Sequence, residues 1–311
     1  MSFYRDFNDK LAIERWNTRK REPFESFKIT PLAPTLGAEV HGLDLREDLT
    51  DAQFVELRRA LAENLVLVFR DQEISSAQHK RLGLRFGRLH QHVLASSKVV
   101  AGQSFDPDLL AWRTGKGTRF TPGDNWHHDV SCDKEPIIAS FLHVAKSPAF
   151  GAGDTAFANA YLAYDSLSEP IKELIDNLTA IHDGNQGWAA GYGAKPAPGT
   201  HYPENEHPIA PRHPWTGRRF LYVNQSFTSH IPQLTRPESD ALLGFLYRHV
   251  ASNLSFQVRV HWTSNTLVAW DNWATQHHAV WDYYPLERWG TRVSAINGSP
   301  STGDVLPIAA E

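Results

Sequence analysis

From about residue 108 onward the chain is written in short apolar runs broken by Gly and Pro, and this punctuation constrains the fold more than any other feature. The runs Asp108–Trp112, Ile137–Val144, Phe220–Asn224, Phe256–Trp262 and Thr266–Trp270 are too short for independent helices and have the strand-like composition of buried β segments. Such spacing predicts a mostly β fold, a sandwich or jelly roll. Two amphipathic helices flank it. One follows Ser168 and carries Ile171, Leu174, Ile175 and Leu178; the other follows Thr235-x-x-Glu238 and carries Leu242, Leu243, Leu246 and Val250.

The opening third is mixed. Phe27–Thr30 and Ala38–His41 read as strands around turn residues, and Leu65–Phe69 as a buried strand. Thr50-x-x-Gln53 and Ser75-x-x-Gln78 are capping boxes that open helices, the second of which Gly87 is placed to end through a left-handed cap. Residues 1–26, with Arg19-Lys20-Arg21-Glu22, read as a charged extension outside the core, and 27–311 as a single domain. Gly184 to His207 shows no periodicity but holds Trp188, Tyr192 and Tyr202, and we expect a lid there.

Composition removes several classes. With 41% hydrophobic and 21% charged residues the chain can bury a large core, and no apolar run is long enough to span a bilayer as a helix. The 31 Lys and Arg against 35 Asp and Glu, a net charge of −4, supply no basic footprint for nucleic acid or an anionic membrane. Cys132 is the only cysteine, which excludes an intrachain disulfide and any thiolate cluster, so a bound metal would have nitrogen and oxygen ligands. The charged N-terminus has no apolar signal core, and a cytoplasmic location is expected.

His127-x-Asp129 puts an imidazole and a carboxylate on one face of an extended segment, since residues two apart in a strand point the same way. By itself the pattern has the weight of any short motif. A second element, Trp270-Asp271-Asn272-Trp273-Ala274-Thr275-Gln276-His277-His278-Ala279, is followed by Arg292. Two imidazoles and one carboxylate form the facial triad of non-haem Fe(II) oxygenases, and a guanidinium fork suits a dicarboxylic cosubstrate. His128 and His278 should face away if His127 and His277 face inward. Gly151-x-Gly153-x-x-Ala156 resembles a dinucleotide fingerprint but lacks its strand–turn–helix setting. No P-loop, H-E-x-x-H or G-x-S-x-G occurs.

Over residues 27–298 the chain resembles the taurine dioxygenase and 2,4-dichlorophenoxyacetate dioxygenase family of Fe(II)/2-oxoglutarate enzymes. The resemblance runs through Leu36-Gly37-Ala38-Glu39-Val40, Phe86-Gly87-Arg88-Leu89-His90, Asn125-Trp126-His127-His128-Asp129-Val130, Gly153-Asp154-Thr155, His213-Pro214-Trp215, Leu221-Tyr222-Val223-Asn224 and the stretch from Trp270 to Arg292. It implies a double-stranded β-helix, a cupin-like jelly roll. It also implies Fe(II) on His127, Asp129 and His277, with 2-oxoglutarate and O2 consumed and succinate and CO2 released as a small organic acid is hydroxylated.

Carried over by position, the resemblance sets Thr155 and Arg292 at the far carboxylate of 2-oxoglutarate and Arg288 at its metal end, with His92, Asn125 and Val130 toward substrate. Ala95 and Gly123 stand where taurine enzymes have polar groups, which favours an alkyl sulfonate, a sulfate ester or an aryloxyalkanoate over taurine. Trp273 replaces a common arginine and leaves the packing near the third ligand open. A homodimer or homotetramer is the expected assembly. Two other readings stay open at this stage: a Zn(II) or Mn(II) hydrolase on the same triad, and a non-catalytic jelly roll that binds a small acid.

Overall fold

The computed structural model describes residues 6–92, 106–119, 121, 123–148, 152–192 and 202–303. Helix α1 (Asp6–Asn17) precedes strands β1 (Lys28–Pro31) and β2 (Ala38–His41), helix α2 (Asp51–Asn64), strand β3 (Val66–Phe69), helix α3 (Ser76–Leu84) and the short β4 (Arg88–Leu89). There follow β5 (Leu110–Thr114), β6 (Ile137–Lys146), β7 (Thr155–Asn159), α4 (Ala160–Asp165), α5 (Glu169–Ile175), β8 (Thr179–Asp183), α6 (Gly184–Tyr192) and β9 (Glu204–Pro208). The chain continues through β10 (Thr228–His230), α7 (Arg236–Ala251), β11 (Gln257–Val260), β12 (Thr266–Asp271), β13 (Thr275–Ala279) and β14 (Arg288–Ile296).

The main sheet runs β1-β2-β3-β12-β6-β14-β4, with β5 also paired to β14, and every pairing except β2 with β3 is antiparallel. A second antiparallel sheet, β11-β7-β13, packs on it through Phe157 and Trp270, whose ring centroids are 5.6 Å apart. A third, β10-β8-β9, stands beside them. The arrangement is the expected jelly roll of mostly antiparallel, unclosed sheets with helices on the flanks. No helix among the described residues is long and apolar enough to cross a membrane.

Local chemistry explains most boundaries. Both predicted capping boxes form: Thr50 accepts from the Gln53 backbone N–H at the start of α2, and Ser75 from that of Gln78 at the start of α3, each glutamine returning a bond to the cap. β3 is fully buried, as its unbroken apolar run requires.

Four expectations need correction. The N-terminal residues are not outside the core, because α1 buries Ala12 and Trp16 in it, Trp16 against Tyr161. Charges on one side of α1 masked an apolar anchor on the other. Gly87 does not cap α3, which ends at Leu84; it lies where an added Cβ would come 2.2 Å from the Ile296 carbonyl oxygen, so glycine is demanded by close approach to β14. Phe220–Asn224 is buried but is not a strand: Phe220, Leu221 and Tyr222 each donate to a separate backbone carbonyl, and Gln276 caps the Val223 carbonyl. Gly184–His207 is not continuous loop, since α6 and most of β9 fall within it. α6 is rich in glycine and has little intrinsic helix preference; contact with Phe227 beside Gly187 supports it.

Candidate active site

The triad is assembled by a backbone pairing between distant segments. His127 and His277 exchange N–H···O bonds of 3.0 and 2.9 Å, which aligns a loop segment with β13 and brings the two ring centroids to 4.0 Å at a tilt of 45°. Asp129, two residues on, reaches the same point: its carboxylate oxygens lie 3.7 Å from His127 Nε2 and 3.8 Å from His277 Nε2. The three ligand atoms fall within 4.8 Å of one another, and all three residues are buried. Among the described residues this is the only cluster of its kind.

Each donor is held in place. His127 Nδ1 donates to the Asn125 carbonyl at 2.7 Å, which leaves Nε2 as the free lone pair facing Asp129. The Asn272 side chain accepts from the Asp129 backbone N–H at 2.9 Å and donates to the Asp129 carbonyl at 3.1 Å. Ser140 donates to Asp129 Oδ2 at 3.2 Å. Trp270 and Phe157 pack on the His277 ring. Burial opposes ionisation of Asp129, but the charge and hydrogen bond of the Arg292 guanidinium outweigh it and hold the carboxyl well below the usual range. Burial also pushes both ligand imidazoles down, His277 furthest, so they stand neutral and ready to coordinate.

The alternation rule holds for the neighbouring histidines. His128 turns away to donate to the Asn272 carbonyl and lie against Tyr222, and His278 points toward Trp126 and Asp124. Val130 adopts φ 43°, a left-handed conformation that β-branched residues avoid, and this turns the chain sharply after the last ligand of the loop. Ser131 then binds His182 and Asn224, and the Cys132 carbonyl accepts from Asn205 at 2.7 Å.

The two arginines stand in the reverse of the expected order. Arg288 and Arg292 share one face of β14, but register decides their places: Ser294 lies opposite Ser140 and Arg292 opposite Leu142 on β6. Arg292 therefore sits at the metal end, with Nη1 2.6 Å from Asp129 Oδ1. Arg288 lies about 13 Å further along the strand at the usual rise per residue. Its guanidinium is 5.1 Å from the Trp262 ring, whose Nε1 donates to Thr155 at 3.1 Å, and 5.0 Å from Trp112. Arg288 is buried, yet its Nε and Nη2 have no hydrogen-bond partner. Tyr283 hydrogen-bonds the same guanidinium, but two buried donors left over are costly, and a carboxylate is the group that fits them.

One cavity of about 780 Å3 holds the triad, Thr155 and both arginines, and His92, Asn125 and Val130 also line it. Asn125 faces the triad through its carbonyl. Gly123 lines it as well at φ +87°, where a side chain is strained, and an added Cβ would press on His127 Cε1 at 3.1 Å. Trp273 is buried on Phe220 and edge-on to His213, which closes the packing left open at that position. Ala95, Gly151 and the Tyr192 side chain fall outside the described residues. Ser140 and Asn272 were missed as site residues. Ser140 was signalled only by a hydroxyl inside the mostly apolar run Ile137–Val144, and Asn272 only by its place in the Trp270-to-Arg292 stretch.

The donor set of two imidazoles and one carboxylate fits Fe(II), and Arg288 fits the second carboxylate of a dicarboxylic partner. Residues 28–294 match the model of the taurine catabolism dioxygenase TauD, TfdA family. An alpha-ketoglutarate-dependent sulfonate dioxygenase from Saccharomyces cerevisiae is 33% identical, over 89% of this chain and 69% of its own. An alpha-ketoglutarate-dependent sulfate ester dioxygenase from Pseudomonas putida is 32% identical, over 88% of this chain and 90% of its own. The crystal structure of a taurine dioxygenase from Burkholderia xenovorans superposes with a TM-score of 0.74 at 31% identity, covering 89% of this chain and 93% of that one. The matched span contains the whole His-Asp-His triad and both arginines, and the chain belongs to the taurine catabolism dioxygenase TauD, TfdA family.

Proposed function

We propose that this chain hydroxylates a small organic acid, of the alkyl sulfonate or sulfate ester type, in a reaction that needs Fe(II), 2-oxoglutarate and O2 and yields succinate and CO2. The observation that carries the reading is Arg288, a buried guanidinium with unpaired donors in the same cavity as the triad. His127, Asp129 and His277 would hold the iron, which when bound supplies the oxidation of substrate coupled to decarboxylation of 2-oxoglutarate. Arg288, with Thr155 beside Trp262, takes the far carboxylate of 2-oxoglutarate, and Arg292 serves the metal end. His92 meets the substrate anion, and Asn125 and Val130 shape the substrate side. A hydrolytic Zn(II) or Mn(II) centre, or an acid-binding jelly roll without chemistry, gives Arg288 no dicarboxylate to hold. The substrate class rests on the named activities of the sulfonate and sulfate ester relatives. A cytoplasmic homodimer or homotetramer belongs to the same proposal, and light scattering on the purified protein tests its assembly.

The test is an anaerobic titration of the protein with Fe(II) and then 2-oxoglutarate, followed by visible absorption, with succinate measured after air and candidate sulfonates or sulfate esters are added. A weak charge-transfer band that is lost in Asp129→Ala and needs far more 2-oxoglutarate in Arg288→Ala is expected. Folded protein that binds Zn(II) tightly and shows neither band nor succinate would overturn the reading.

A further inference from the structure

The cavity, about 780 Å3, is several times larger than 2-oxoglutarate and lies in the range that buries a drug-sized ligand, so it has room beyond the cosubstrate. The wall built by α6 and the residues around it is distinct in kind from the metal end. Trp188 and Tyr202 stack with centroids 4.9 Å apart and planes 20° apart. Gly184 and Gly187 let the helix backbone press against rings, since an added Cβ would lie 2.6 Å from Tyr202 Cβ in the first case and 2.1 Å from Phe227 Cε1 in the second. All five residues line the cavity, and none carries a charge at neutral pH.

This wall is tied to the metal site. Asn205 on β9 donates to the Cys132 carbonyl, and His182 on β8 bonds Ser131, so the segments that flank α6 are fastened to the loop that leaves Asp129. The wall and the triad thus line one cavity and share one backbone support. Because Trp188 and Tyr202 stack on each other, they leave no slot between them for a third ring and instead offer a continuous apolar surface.

We propose that Trp188, Tyr202 and Phe227 form a tail subsite that selects an acid bearing an unbranched alkyl chain of several carbons over its short homologues. The proposal rests on the dioxygenase reading for its turnover measurement but not for its binding measurement. Burying one methylene strengthens binding about fourfold, so selectivity should climb by about that factor per carbon until the wall is covered.

The test uses linear alkanesulfonates from ethane- to decanesulfonate. Binding is measured by calorimetry on protein with and without Mn(II) and 2-oxoglutarate, and kcat/KM by succinate release from the iron-loaded enzyme. Affinity that rises with length, with a heat-capacity change that grows more negative, is expected. Trp188→Ala and Tyr202→Ala should lower the decane-to-ethane ratio of binding and of kcat/KM at least tenfold, and Phe227→Leu provides a milder variant if either fails to fold. Length-graded binding without succinate from any member would sink the dioxygenase reading and leave the subsite standing. Binding that is flat with length, or variants that weaken every length equally, would overturn the subsite.

Discussion

Arg292 Nη1 lies 2.6 Å from Asp129 Oδ1, so the carboxylate of the His-Asp-His triad is already paired with a protein cation. In Arg292→Ala that buried carboxylate loses its counter-ion, which costs about 3–5 kcal/mol of stability in the metal-free protein. Metal should restore much of this. Urea unfolding with and without Mn(II) is expected to show a larger metal-induced gain for the variant than for the parent; equal gains would mean the pair does not set the charge state of the site.

Trp16 supplies a second expectation. It is buried between α1 and α4, next to Tyr161, with Arg19 lying over its ring 3.7 Å from the centroid. Trp16→Ala should cost about 3–5 kcal/mol through the lost burial and the cavity left behind. A midpoint in urea that matches the parent would show that α1 contributes nothing to the core.

His79 gives the fold a pH dependence. Burial, reinforced by His143 nearby, pushes its imidazole down to about 3 from an ordinary value of 6.5, and its ring nitrogens are bonded to the Phe141 carbonyl and Thr291. Between those two values the unfolded chain takes a proton that the folded chain refuses. The stabilisation is complete above pH 6.5 and drains away as pH falls toward 3, with a slope of about 1 kcal/mol per pH unit from this residue. Stability measured at intervals over that range should fall less steeply in His79→Gln; an unchanged slope would assign the acid sensitivity elsewhere.

What could be read ahead of the structure was what depends on short-range geometry. The capping boxes at Thr50 and Ser75 involve groups three residues apart, and the opposite facing of His127 and His128 follows from the two-residue period of extended chain. The exchange of roles between Arg288 and Arg292 could not be read this way. Both lie on one face of β14, and only the pairing of Ser294 with Ser140 decides which guanidinium meets Asp129. The same holds for Gly87, whose reason for being glycine is a carbonyl at residue 296, and for Trp16, whose partner Tyr161 is remote in sequence.

The reciprocal bonds between His127 and His277 also bear on how the protein is made. A ribosome-bound chain that has not yet delivered β13 has two of the three triad residues and no strand to align them. Metal capture thus waits for long-range closure, among the slowest steps in β-rich folding. A reactive ion would then be loaded onto a finished domain rather than onto a nascent one.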